Sequence, residues 1–448
     1  MDRFKWLYPG MRVKRWIFTA ILGAVILGAG LVAVTDTGLL TGAESAISFW
    51  DIHMQWLAPA TLTGLIFMFV GLAAVIIGFR NTIKSITEVL IPEKAQRLAD
   101  IIYEKQHLKK GPKIVVIGGG TGLSMLLRGL KHYTSNITAV VTVADDGGSS
   151  GQLRGELGIL PPGDIRSCLV ALADTESLME ELFQHRFASC NGLSGHSLGN
   201  LFIAGMTQIA GDFQTAIKEM GRVLAIRGQV LPVTLKHVTL CAELEDGTVI
   251  EGESNIPRTP QKINRVFLCP GDCEPVPEAL KAIAEADVII LGPGSLYTSV
   301  IPNLLVRGVA DAVAASPAVT VYACNIMTQP GETDGYTASA HIRAIHQHAG
   351  SGLIDYAIVN TEDIPRKLLR KYRNDGAIPV RADLKDILRM NVMPVCHKLV
   401  FESDVVRHDP CKLAEAIVEL IGQIKGRNEK FHIPDLHLVK GLKREVQG

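Results

Sequence analysis

The sequence predicts an α/β fold, a mainly parallel sheet with helical and hairpin insertions, preceded by an N-terminal two-helix transmembrane hairpin. Three observations lead there. From Lys113 onward short apolar runs alternate with amphipathic segments, as the strands and helices of a parallel sheet do. Several of those runs end in glycine-rich loops. Before residue 81 lie two uncharged apolar stretches, each long enough to form a bilayer-spanning helix.

The two stretches are residues 16–34 (WIFTAILGAVILGAGLVAV) and 57–79 (LAPATLTGLIFMFVGLAAVIIGF). A cleaved signal peptide has a shorter apolar region and is not normally followed by a second span, so the pair predicts permanent anchoring. Arg3, Lys5, Arg12, Lys14 and Arg15 precede the first span, and Arg80 and Lys84 follow the second. The connecting residues 35–56 carry no Lys or Arg. Basic residues stay on the cytoplasmic side, which predicts a multi-pass protein of the cytoplasmic membrane with both termini and the main domain in the cytoplasm. Trp6, Trp16, Trp50 and Trp56 flank the spans as interfacial anchors do.

The 448 residues contain 45 basic and 45 acidic side chains, a balance that offers no global attraction for nucleic acid. Eight scattered cysteines form neither a disulfide framework nor paired zinc knuckles, and they suggest a reducing compartment. The nearest pair, Cys269 and Cys273, lacks further ligands and is not expected to bind metal. The expected domains are a membrane anchor over 1–80, a linker helix over 81–112 broken at Pro92, an α/β domain over 113–426 and a tail over 427–448.

Strands are expected at 113–117, 137–144, 263–268, 287–291, 318–324 and 355–359, with helices near 197–210 and 212–225. The segment VTLCAELEDGTVIEGES reads as a hairpin turning at Asp246-Gly247. IVVIGGGTG places Gly118, Gly119, Gly120, Thr121 and Gly122 at a strand exit, where backbone N–H groups can approach a phosphate at a helix N-terminus. It departs from the dinucleotide fingerprint, whose third glycine falls at Leu123. VTVADDGGSSG follows with Asp145, Asp146, Gly147, Gly148, Ser149 and Ser150. Two adjacent carboxylates cannot both face one ribose, but one of them can meet Mg²⁺ or a substrate hydroxyl.

A third loop, GPGSLYTSVIPNLL, brings Gly292, Gly294, Ser295 and Tyr297, the last of which can stack on a base or sugar or simply pack. In PPGDIR, Asp164 stands where it would cap the next helix, and Arg166 can pair with a phosphate or with Asp145 and Asp146. GHSLGN offers His196 and Asn200 at a helix start.

Taken in order, GGGTG, DDGGSSG, PPGDIR, GHSLGNL, GPGSLYTSVIPNLL and CNIMTQPGETDGY resemble the YvcK/CofD-like family of gluconeogenesis factors and 2-phospho-L-lactate transferases. The likeness runs from about Lys113 to Gly426. GPGSLYTS and MTQPGET, the latter holding Thr328 and Gln329, favour the YvcK branch. The resemblance implies a Rossmann-like sheet. It also implies binding of a UDP-sugar such as UDP-N-acetylglucosamine, with roles in carbon metabolism, cell shape and envelope synthesis.

The N-terminal spans are a departure, since family members commonly begin near the first glycine loop. The primary expectation is a membrane-anchored, non-catalytic nucleotide-sugar-binding regulator. The alternatives are a CofD-like transferase with Mg²⁺ on Asp145 or Asp146, and an NAD-dependent oxidoreductase. The expected partners are a small-molecule nucleotide sugar and the membrane, through residues 16–34 and 57–79; a homo-oligomer and a protein partner stay open.

Overall fold

The computed structural model describes residues 13–35, 60–90, 106–174, 177–188, 192–259, 261–401 and 406–425. It divides into two compact units, Met1–Lys105 and Gln106–Gly448.

In the first unit two apolar helices, Val13–Thr35 and Ala60–Leu90, pack antiparallel through glycines. Gly23 lies against Gly71, and Gly30 against Gly64, so tightly that a Cβ at Gly71 would stand 2.5 Å from the Leu27 nitrogen. Small residues are what allow helix backbones to approach this closely in a membrane. The opposite faces carry exposed Phe18, Phe69 and Phe79. Both helices are long and apolar enough to be candidate spans.

One expectation changes in this unit, and parts of others fall outside the described residues. Residues 57–59 of the second expected span lie outside the described residues. The linker helix does not begin at residue 81, because the second apolar helix continues unbroken through Leu90. Nothing between Arg80 and Leu90 removes a backbone N–H, and the chain simply changes from an apolar to a polar helix there. Pro92 and the tail beyond residue 425 also lie outside the described residues.

The second unit is built on β1 (Ile114–Gly118), β2 (Ile137–Val141), β3 (Gln229–Pro232), β4 (Thr239–Leu244), β5 (Val249–Glu251), β6 (Ile263–Cys269), β7 (Val288–Leu291), β8 (Val319–Ala323), β9 (Tyr356–Asn360), β10 (Met393–His397), β11 (Val400–Phe401) and β12 (Arg407–His408). Seven strands form a parallel sheet in the order β10-β9-β8-β7-β1-β2-β3. Every residue of β1, β2 and β7 is buried. Helices cover both faces of such a sheet, which is why its strands read as unbroken apolar runs.

Three strand expectations are corrected. Residues 142–144 are buried but lie beyond the end of β2; the Thr142 N–H still donates to the Gly118 carbonyl at 3.1 Å, and the apolar run after it records burial. The 263–268 run is β6, which pairs antiparallel with β4 in a separate three-stranded sheet, order β5-β4-β6. The edge strands β3 (QVLP) and β10 (MPVCH) were not expected, since each is short, contains proline and lacks a continuous apolar run. The β4-β5 hairpin turns at Asp246-Gly247 as expected, with Gly247 at φ +86° and the Asp246 carboxylate accepting the Thr248 N–H at 2.9 Å.

From β1 the chain moves outward through β2 to β3, returns to the other side of β1 as β7, and continues to β10. The strand order therefore reverses between β1 and β7, the place where open α/β sheets form a ligand crevice beyond the strand ends.

Candidate functional site

A cleft of about 360 Å³ opens at that reversal point. One wall is the exit of β1, where Gly119 is extended and Gly120, at φ +67°, turns the chain into the helix Gly120–Leu130. Gly122 sits in the first turn of that helix and presses on the exit of β7, where a Cβ would meet the Pro293 carbonyl oxygen at 2.6 Å. The Gly120 N–H is taken by Asp164, and the N–H groups that follow in the first turn have no acceptor within the helix, the arrangement that receives anions.

The opposite wall joins the exits of β7 and β8. Asn325 donates to the Gly294 carbonyl at 2.8 Å, and Gln329 donates to the Ser295 hydroxyl at 2.6 Å. Thr328 accepts the Ile378 N–H through its side chain at 3.0 Å. Beneath both loops the fully buried Asn303 donates to the Gly118 carbonyl at 3.1 Å and to the Ser299 carbonyl at 2.7 Å, tying the β1 exit to the segment after β7. Gly119, Gly120, Thr121, Gly122, Gly294, Ser295, Thr328 and Gln329 thus line one cleft, with Gly118 ending β1 and Gly292 following β7 behind them.

The acidic residues lie behind Gly119. Asp164 is half-buried, and a Cβ on Gly119 would stand 2.5 Å from its carboxylate. Burial, followed by the nearby Asp145 charge, pushes Asp164 up to about 7, against the opposing pull of the Gly120 N–H and Arg166. Two residues not anticipated from sequence join them. Glu253 is raised to about 7 by burial and by Asp145, Asp164 and Asp146, and Glu332 to about 8 by burial and Glu253. One carboxylate oxygen of Glu332 is buried without a hydrogen-bond partner among the described residues.

Several expected roles are corrected by these positions. Asp164 does not cap its helix: Gly163–Leu172 has Pro162 at the N-cap, and Asp164 falls inside the first turn. Asp145 and Asp146 point to different partners. Asp145 accepts the Gly147 N–H at 2.9 Å, whereas Asp146 turns away to accept the Ser254 N–H at 2.9 Å. Among the described residues no three carboxylate, imidazole or thiol groups gather as a metal cage.

Arg166 pairs with neither Asp145 nor Asp146. Its guanidinium donates to the Ser197 hydroxyl, and its Nε is buried without a partner among the described residues. Tyr297 does not face the cleft: it is 2% exposed, its hydroxyl is 2.8 Å from that of Tyr336, and its ring packs edge-on against Tyr336 and His348. His196 and Asn200 are buried and hold Ser149, with His196 Nδ1 and Asn200 Nδ2 each 3.0 Å from its hydroxyl. Ser150 accepts the Gly163 N–H at 3.2 Å, so the second glycine loop is locked to the start of the Asp164 helix.

The far end of the cleft is supplied by parts of the chain with no motif. Tyr372 lines it and accepts the Val406 N–H through its hydroxyl at 2.8 Å; Arg407 and His408 come from β12. His408 bonds the Cys324 carbonyl at 3.0 Å and burial pushes it down to about 4, so it is neutral at pH 7.

The family model described as 2-phospho-L-lactate transferase CofD matches residues 114–400. The chain belongs to the CofD family. Within it, the gluconeogenesis factor of Bacillus subtilis is 55% identical over 311 residues, covering 69% of this chain and 98% of that protein. A Nostoc sp. relative is 48% identical over 423 residues, covering 94% of this chain and 92% of its own length. A crystal structure of a Bacillus halodurans protein superposes with a TM-score of 0.68 at 55% identity, over 69% of this chain and 100% of that one. In this CofD-family chain the matched region contains all three glycine loops and the acidic residues, and it ends before β12, which brings Arg407.

Proposed function

We propose that this chain is a membrane-anchored regulator that binds a UDP-sugar of the UDP-N-acetylglucosamine type and acts on carbon metabolism, cell shape or envelope synthesis. The observation that carries the nucleotide reading is the pair of glycine loops at the exits of the adjacent strands β1 and β7, facing one cleft at the strand-order reversal. In this reading the pyrophosphate lies on the backbone of Gly119–Gly122 and Gly294, with Ser295 and Thr121 as further donors. Tyr372 takes the stacking role expected of Tyr297, and Arg407 supplies a cation at the same end. The sugar hydroxyls are directed toward Asp145 and Asp164, since carboxylates accept from hydroxyls and repel phosphate.

Calorimetric titration of the full chain in detergent with UDP-N-acetylglucosamine, GDP and NAD, each with and without Mg²⁺, tests this. Saturable binding of the uridine nucleotide alone is expected, weakened tenfold or more by Tyr372→Ala, which removes a stacking face worth about 1–3 kcal/mol per base. Equal binding of NAD would return the chain to the dinucleotide class. That class is disfavoured because Leu123, at the fingerprint's third glycine position, is fully buried in the core.

A transferase is the second reading, and the closeness of Asp145 to Asp164 favours it. Mg²⁺ is commonly held by one or two carboxylates together with substrate phosphates, and these two residues, not Asp145 with Asp146, fit that role. When bound, the ion would neutralise charge developing on the phosphate. Asp164→Asn separates the readings. A binder keeps its affinity within a few-fold, whereas phospholactyl transfer to a deazaflavin, lost in the variant, would establish the enzyme.

Both helices of the first unit are assigned to the cytoplasmic membrane, with the α/β domain in the cytoplasm. Reporter fusions at Thr41 are expected to read external and those at Gly111 cytoplasmic; the reverse pattern would remove the topology.

A further inference from the structure

The small antiparallel sheet carries two thiols that nucleotide binding does not use. Cys241 on β4 faces Phe267 of β6, and Thr239 faces Cys269, so the two cysteines are diagonal neighbours on one face of the strand pair. Their sulfurs lie 3.4 Å apart and both are free. Cys269 is exposed while Cys241 is buried, so a dissolved oxidant meets Cys269 first and the second thiol waits directly behind it. Burial and then the hydrogen bond to Cys269 push the Cys241 thiol up to about 12, so its attack has to be coupled to loss of its proton to the departing oxygen. A disulfide needs the sulfurs about 2.0 Å apart, a small closure for two side chains already in contact.

We propose that Cys241 and Cys269 form a reversible disulfide that repositions the turn beside the acidic residues of the cleft. The oxidant class is a peroxide. Hydrogen peroxide oxidises the Cys269 sulfur to a sulfenic acid, its O–O bond breaks, and one water leaves. The Cys241 sulfur then attacks the sulfenic sulfur, the S–O bond breaks, and the departing oxygen takes the Cys241 proton and leaves as a second water. Together the two thiols lose two electrons and two protons, and a dithiol reductant returns both. In a reducing compartment such a bond is transient, as a sensor requires.

The route to the cleft is short. Leu240, next to Cys241, accepts the Gly252 N–H at 2.9 Å through its carbonyl. Gly252 lies against Asp146, where a Cβ would stand 2.5 Å from the carboxylate, and Ser254 donates its N–H to the same group at 2.9 Å. Between them Glu253 bonds Thr298 and feels the charges of Asp145 and Asp164. Drawing β4 toward β6 therefore moves the backbone that holds residues 252–254 against Asp146.

The test treats the purified full chain in detergent with hydrogen peroxide and reads it by peptide mass spectrometry and hydrogen exchange. The peptides carrying Cys241 and Cys269 are expected to appear joined, two hydrogens lighter than the free thiols, and to separate with dithiothreitol. Cys269→Ser and Cys241→Ala should give no joined species. Exchange at residues 251–255 is expected to change several-fold in the oxidised wild type and not in peroxide-treated Cys269→Ser. Oxidation of Cys269 to sulfinic acid with Cys241 still free would overturn the disulfide. A joined pair whose 251–255 amides exchange as in the reduced protein would overturn its link to the cleft. Neither readout uses a nucleotide, so the result stands apart from the ligand assignment.

Discussion

At the scale of single residues the glycines of the cleft divide into two kinds. Gly122 is required by space, since any side chain would strike the Pro293 backbone. Gly120 is required by conformation: its φ is +67°, yet among the described residues the only atom near a Cβ would be the Ser299 hydroxyl at 3.7 Å. Gly120→Ala is therefore expected to keep the fold and cost about 1–2 kcal/mol in chemical denaturation. Gly122→Val should separate the two loops and abolish nucleotide binding in the titration. Equal binding by wild type and Gly122→Val would exclude the β1 exit as the phosphate cradle.

The buried carboxyls make a second prediction at this scale. Asp164 and Glu253 at about 7 and Glu332 at about 8 lie above their ordinary values of 3.8, 4.5 and 4.5. The folded protein then holds protons that the unfolded chain has released. Their stabilising effect is complete below the ordinary values and is lost as pH rises through the raised ones. The unfolding midpoint should fall between about pH 4 and pH 8, and less steeply in Asp164→Asn, whose amide does not ionise. A midpoint that climbs across this window would contradict the assignment.

At the scale of elements, the helical hairpin depends on its glycine seam. Gly64, Gly71 and Gly78 recur every seventh residue and meet Gly30, Gly23 and the Trp16–Ala20 turn of the other helix. Gly71→Ile would force the backbones apart at the Leu27 nitrogen while leaving both helices apolar. The expected result is increased protease cleavage of the detergent-solubilised hairpin with membrane insertion retained. Unchanged cleavage would show that the seam does not hold the pair. The other decisive element is the exit of β7, whose residues 296–300 form a wide helical turn that buries Tyr297 and carries Ser299 to the cleft.

At the scale of the whole molecule, the two candidate spans and the candidate cleft belong to separate units, divided between Lys105 and Gln106. The Bacillus subtilis relative is covered for 98% of its length by 69% of this chain, which fits an α/β unit that stands by itself. Deleting residues 1–105 is expected to leave uridine-nucleotide affinity within a few-fold in calorimetry and to move the protein from the membrane pellet to the soluble fraction. A large loss of affinity would show that the N-terminal unit takes part in the site.

By itself the sequence determined the fold class, the two apolar helices, and the three glycine loops together with their order. The reason is that these are local: burial on both faces writes an apolar run, and a close backbone approach writes glycine. Tertiary structure alone decided which side chains reach the cleft. Tyr297 and Tyr372 carry the same ring, but one is locked under Tyr336 and the other is brought to the cleft beside β12. Asp145 and Asp146 are adjacent in the chain yet face Asp164 and Ser254 respectively, while Glu253 and Glu332 arrive from distant segments without any motif. Direction and long-range proximity depend on how the sheet is wound, and no stretch of neighbouring residues records that.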